Sequence, residues 1–114
     1  DNPDTLENLA VLENQQNKIA LSIQHYEAVL KLRPDSIDSF YGLALNYKKL
    51  AQQTLSESAQ IGQKPTPGEL NDAKLHWQKA SNYAASFLQK AKSDDPGRAD
   101  MTAIQQDAEA FSAN

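Results

Sequence analysis

SIQHYEAVLKLRPDSIDSFYGLALNY, residues 22–47, decides the fold. Ile19, Ile23, Tyr26, Val29 and Leu30 recur at steps of three and four, which places them on one side of a helix. That helix must stop near Pro34, because the residue before a proline is pushed out of the helical region. Pro34-Asp35-Ser36 makes the turn, and Ser36 can cap the next helix. Phe40, Leu43, Ala44, Tyr47, Leu50 and Ala51 then lie along one stripe of it.

Working outward, a preceding helix is marked by Asp4 as its cap and by Leu6, Leu9, Ala10 and Glu13, and it fades in the polar run Asn14-Gln15-Gln16-Asn17. Downstream, Thr54, Leu55, Ser58 and Ile61 continue the stripe, so the third helix runs to about residue 60 before Gly62 and Pro65 end it. Thr66-Pro67-Gly68-Glu69 has the reciprocal cap and early proline of a helix start. From there Leu70, Ala73, Trp77, Ala80, Ala84, Phe87 and Ala91 form a seam that winds against the third helix, with Trp77 facing Thr54 and Ser58. Asp94-Asp95-Pro96-Gly97 breaks the chain, and Met101, Ile104, Ala108 and Phe111 mark a fifth helix. The expected fold is all-α, five helices in a single domain over 1–114, the third and fourth forming a long hairpin.

Composition agrees, because only 4 glycines and few β-branched or aromatic residues favour helix over sheet. The net charge of -4 opposes attraction to nucleic acid or anionic lipid. No cysteine means no disulfide framework and no thiolate chemistry, which suits a reducing or an oxidising compartment alike. No apolar run approaches the ~20 residues of a membrane span, and the first residues lack the features of a signal peptide. A soluble chain is expected, with a cytoplasmic setting preferred to a periplasmic one. Because it starts on Asp1 rather than methionine, it reads as a processed form or a piece of something longer.

A shift of about 34 residues brings Leu6 onto Phe40, Leu9 onto Leu43 and Ala10 onto Ala44, with Glu13 a poor match for Tyr47. With Ser22, Tyr26, Val29 and Pro34 before Phe40, Leu43, Ala44 and Tyr47, the pattern resembles the tetratricopeptide repeat, although Ser22 and Val29 stand where that family usually has alanine. Ala84, Leu88, Ala91 and Pro96 repeat the second-helix pattern. The resemblance implies a short solenoid of antiparallel pairs: a first repeat over about 3–36, a second over about 37–98 with an insertion over about 52–79, and a capping helix over about 99–112. Pro34 and Pro96 are about 62 positions apart, a surplus of about 28 residues over one period. At about 1.5 Å per residue, the surplus projects the hairpin by roughly 20 Å.

No nucleophile elbow, phosphate loop or metalloprotease helix is present, so no catalysis and no cofactor are expected. His25, read as a helix-surface or partly buried residue able to contact Ser22, and His76 beside Trp77 carry no catalytic spacing. Asp94, Asp95 and Asp100 lack the spacing of a calcium loop and read as helix caps. Trp77 is assigned to the core rather than to a partner. The resemblance instead implies protein binding along the inner face of each first helix, at Glu7, Val11 and Asn14 and at Asp38, Tyr41, Leu45 and Lys48, with Tyr41 and Leu45 as an apolar floor. The positions of a chaperone-tail clamp hold Glu7, Val11, Gly42, Asp100 and Ile104, which cannot pair with a terminal carboxylate, so a basic or apolar peptide suits the groove better. The expected role is an adaptor or assembly scaffold acting through this groove, the hairpin or both. The other reading is a structural repeat segment of a larger chain or homo-oligomer. Two repeats are fewer than such stacks usually need, and Leu12 on the first helix leaves a face for further repeats, another protein or a second copy.

Overall fold

Residues that cap helices set most of the boundaries. The computed structural model describes residues 2–113, in which α1 spans Pro3–Gln15, α2 Ile19–Leu32, α3 Ile37–Gln60, α4 Pro67–Lys90 and α5 Arg98–Ser112. There is no strand among those residues. Ser36 caps α3 by accepting from the Ser39 amide, and Thr66 and Glu69 exchange both bonds of the capping box at 3.1 and 2.9 Å. Glu69 also accepts from the Ser58 hydroxyl at 2.6 Å, tying the start of α4 to the end of α3. These donors, Ser58 first, hold the Glu69 carboxyl below the ordinary range. Its contribution is therefore present above the unfolded pKa and lost as pH falls through the folded one.

At the start of α1 the cap is Asn2 rather than Asp4. The Asn2 side chain accepts from the Asp4 amide at 2.8 Å and Pro3 occupies the first turn. Asp4 is thereby free to accept from Arg33 Nη1 at 2.7 Å, across the end of α2. Helices α1 and α3 close alike. Asn17 and Gly62 take left-handed φ values of 61° and 71°, and the amides of Lys18 and Gln63 donate back to the carbonyls of Glu13 and Ser58.

α1 packs on α2, α3 on α4, α2 on α3 and α5 on α4, the α3–α4 interface being the largest. Ala10, Ala44, Ala51, Ala73, Ala80 and Ala84 are fully buried where helices approach closely. Leu43, Met101, Ile104, Phe87, Tyr26 and Trp77 fill the space between them. Each such large side chain stabilises the fold by about 1.5–3 kcal/mol relative to exposure. Ser22 is buried with both of its hydrogen-bonding roles used: its hydroxyl donates to the Ala10 carbonyl at 2.7 Å and accepts from Asn46 Nδ2 at 3.0 Å. Three helices are joined by that one buried group.

Three apolar expectations fail, the most exposed being Ile61 at 70%. Leu9 is 40% exposed and Leu70 43% exposed. α1 lies at an edge of the stack with Ala10 as its buried residue, so its apolar side is narrower than the pattern suggests. Ile61 is the C-cap of α3 and Leu70 stands in the first turn of α4, so both lie at the tip of the hairpin.

The long hairpin is present, but less of it is free than the span 52–79 suggests. α3 and α4 have 24 residues each against 13 and 14 in α1 and α2, an excess of about 15 Å at the helical rise rather than 20 Å. His76 stacks on Tyr47 with centroids 6.1 Å apart, Lys79 sits over the same ring, and Trp77 packs on Phe111 of α5. Residues 76–79 therefore belong to the body, and the arm begins beyond them.

α5 starts without a side-chain cap of its own. Asp95 accepts from the Gly97 amide at 2.8 Å, and Arg98 Nη1 donates to the Leu88 and Ala91 carbonyls at 2.9 and 3.3 Å. Arg98 thus closes the C-terminus of α4 from the next helix. Arg98→Ala is expected to lower the unfolding free energy by about 1–2 kcal/mol in urea titrations, because charged hydrogen bonds to half-buried carbonyls exceed neutral ones. A loss below about 0.5 kcal/mol, the range of ordinary surface changes, would show the cap to be incidental.

Candidate interaction groove

The turns α2–α3 and α4–α5 come to the same end of the stack, and the two depressions there share a wall. One is lined by Glu7, Arg33, Pro34, Ile37, Asp38 and Asp95 among others, with a volume of about 600 Å³. The other, about 370 Å³, lies over Asp38, Tyr41, Phe87, Asp95, Pro96 and Asp100. Asp38 and Asp95 belong to both, so the two form one trough.

The trough is built by helix starts. Ser36 begins α3 and places Asp38 and Tyr41 one turn apart, while Asp95 precedes α5 and Asp100 stands in its first turn. Tyr41 donates its hydroxyl to Asp100 Oδ2 at 2.7 Å, and its ring meets Phe87 at 5.7 Å with a 53° tilt. Gly97 completes the packing, since a Cβ there would stand 2.8 Å from Phe87 and 3.1 Å from Tyr41. The bond to Asp100 is the first cause that raises the Tyr41 phenol, followed by burial and by the charges of Asp100 and Asp95.

Glu7 faces Asp38 across α1 and α3. Burial first, then the hydrogen bond and charge of Asp38, raise its carboxyl above the ordinary range, with Arg33 pulling the other way. Arg33 is itself held by Asp4, and Asp35 pairs with Lys90 at 3.4 Å. The sign for stability is set by the raised value. The fold favours the protonated Glu7, so this contribution is present below the unfolded pKa and lost as pH rises through the folded one. Glu7→Gln is expected to stabilise the chain at pH 7 by roughly 0.2–1 kcal/mol, the scale of exposed charge pairs, and to flatten thermal stability between about pH 4.5 and 7. Destabilisation at pH 7 by this substitution would contradict the like-charge contact.

The other groove residues are dispersed. Asn14 accepts from Lys49 Nζ at 3.1 Å, Val11 is exposed, and Leu45 and Lys48 are half-buried, Leu45 against the core. None of the four lines the trough. Tyr41 and Leu45 are therefore not a free apolar floor: Tyr41 is fixed to α5 and Leu45 supports the core. Asp95 and Phe87 are members that the repeat pattern did not assign to the groove, and Asp100, which stands at a clamp position of that pattern, bonds to Tyr41 rather than capping.

The histidines sit elsewhere. His25 Nδ1 meets Glu13 Oε1 of α1, not Ser22. The Nδ1 atom of His76 is buried without a partner, and burial and then Lys79 depress its pKa. Among the described residues no group of three or more His, Asp or Glu side chains is placed to hold a metal ion, and no helix is long and apolar enough to cross a membrane.

No family model, no curated protein and no solved structure matches this chain.

Proposed function

We propose that the chain is a non-catalytic protein-interaction module, an adaptor or assembly scaffold of tetratricopeptide-like design, that receives a segment of a partner protein in the trough between Glu7 and Asp100. The observation that carries this reading is the continuous hollow at the joined helix starts, with Pro34, Ile37 and Pro96 as apolar surface and carboxylates along its walls. Apolar surface with a few convergent polar groups is the usual make-up of a recognition site. The like-charge contact of Glu7 and Asp38 lowers stability at neutral pH, as expected where a surface is arranged for something other than stability.

The test is selection of a random dodecapeptide library on the chain, followed by amide chemical-shift mapping of the enriched peptides. A footprint on Glu7, Asp38, Tyr41 and Gly97 supports the trough. A footprint confined to Ile61, Leu70 and Leu75 moves the binding surface to the hairpin arm, where these side chains are 70%, 43% and 56% exposed.

The second reading, a structural segment that packs on neighbouring repeats or on its own copy, is favoured by Leu9, Leu12 and Leu21, which leave the α1–α2 pair with exposed apolar side chains. Sedimentation equilibrium separates the two. A stable dimer abolished by Leu12→Glu, with no peptide selected, supports the structural role.

A further inference from the structure

The partner of the trough has a chemistry that the trough itself specifies. Five carboxylates and one guanidinium line it. Arg33 is already bonded to Asp4, Asp35 to Lys90, Asp100 to the Tyr41 hydroxyl, and Asp95 to the Gly97 amide. Glu7 and Asp38 are left facing each other across the α1–α3 cleft with Arg33 as the nearest cation. Charge along the wall is therefore unevenly met: of the four carboxylates that line the larger depression, Asp35 and Asp95 have bonded partners, while Glu7 and Asp38 face each other with their repulsion only partly offset by Arg33.

Resting on the groove reading above, we infer that the trough binds an extended, basic segment of a partner protein, and that an arginine of that segment pairs with Glu7 and Asp38 from the open side of the larger depression. A guanidinium suits the position better than an ammonium, because its planar fork can donate to two carboxylates at once. Ile37, Pro34 and Pro96 give apolar surface for the flanking residues, and Phe87 and Tyr41, locked by Asp100 and Gly97, keep the second depression rigid. A rigid, pre-formed hollow costs less on binding than one that must be ordered. The raised Glu7 carboxyl agrees with this arrangement, since an entering cation would favour its ionised form. A nucleic acid is disfavoured by the same charges, and the chain as a whole carries -4.

The probe is a fluorescein-labelled hexapeptide of alternating arginine and leucine, compared with its glutamine–leucine counterpart, each followed by anisotropy and by amide chemical-shift mapping. The arginine peptide is expected to bind with shifts at Glu7, Asp38 and Gly97, and to weaken as sodium chloride is raised from about 0.05 to 0.3 M, as screening requires. Glu7→Gln and Asp38→Asn should each weaken it by about threefold and together by about tenfold. Asp107→Asn, which removes the same charge from an exposed site on α5, should leave it unchanged. Circular dichroism of each variant establishes that it is folded, and a fall in the Glu7 carboxyl titration midpoint on binding is the readout that a mere loss of fold cannot imitate. Equal binding of both peptides in the trough would overturn the basic specificity while leaving the groove reading intact. Shifts from neither peptide at the trough, or arginine-peptide shifts spread over the acidic surface and equally sensitive to Asp107→Asn, would overturn both.

Discussion

Replacing Gly42 with alanine will destabilise this protein, although the substitution improves helix propensity. Gly42 stands in the middle of α3, where alanine is preferred to glycine by about 1 kcal/mol in an exposed helix. Propensity alone predicts stabilisation. The neighbour decides otherwise: a Cβ at Gly42 would lie 2.4 Å from two ring carbons of Tyr26 and 2.9 Å from its hydroxyl oxygen. Tyr26 is 5% exposed and packed between α2 and α3, so the ring has no open space to enter, and burial is the first cause that raises its phenol pKa.

Forcing a methyl group into such a contact costs about 1–3 kcal/mol, and here the upper end applies because the opposing atoms belong to a rigid ring. After the propensity gain, a net loss of about 2 kcal/mol is expected, or about 10 °C in Tm for a chain of this length. Urea and thermal unfolding followed by circular dichroism measure it. The double variant Tyr26→Leu, Gly42→Ala tests the cause, since it should lose less than the sum of its parts if the ring is what the methyl group meets. A Gly42→Ala chain as stable as the parent would mean that α2 and α3 can slide apart without cost.

That contact also shows why some of the fold was legible in the sequence and some was not. Helix boundaries are local matters. Pro34, Ser36, Gly62 and the Thr66–Glu69 box act on the backbone within a turn of themselves, and α2, α3 and α4 begin and end where those residues indicate. The apolar stripe of α2 is buried at Ile19, Ile23, Tyr26 and Val29 because that helix has neighbours along its length. The same reasoning misplaces Leu9, Ile61 and Leu70, since periodicity gives the side of a helix that is apolar and not how much of it a neighbour covers. Asp4 was the wrong cap because Asn2, two residues earlier and followed by Pro3, competes for the same role.

The groove was legible only at its corners. Glu7, Asp38 and Tyr41 were assigned from a repeat pattern and do meet at one end of the stack. Asp95, Asp100 and Phe87 come from a part of the chain more than forty residues away from Asp38, brought there by the return of the long hairpin. Their residue types suit a turn and a helix start, so nothing local distinguishes a wall of a trough from a cap. The same holds for Arg98, whose guanidinium serves carbonyls of the preceding helix.

The largest loss is expected at Trp77, the chain's one tryptophan. It is 6% exposed, lies in the buried seam of α4 with Ala73 and Ala80, and its ring meets Phe111 of α5 at 6.5 Å. Burial on this scale assigns it to the core rather than to a partner. Trp77→Ala should cost about 3–5 kcal/mol, the range for emptying a large aromatic site. For a domain whose total stability is of order 5–15 kcal/mol, this leaves a marginal fold. The loss should also be unevenly distributed. α5 depends on α4, and Phe111 is its last large apolar contact, whereas α1 packs on α2 and is tied to it by the Ser22 bond to the Ala10 carbonyl, with Asn46 of α3 on the same hydroxyl. Amide exchange of α5 should therefore accelerate more than that of α1, as expected where a local unit opens below the global limit. Trp77→Phe, which keeps an aromatic ring in the seam, should recover part of the loss. If Trp77→Ala unfolded within about 1 kcal/mol of the parent, the residue would be replaceable in the core, and its size would have to be explained by binding instead.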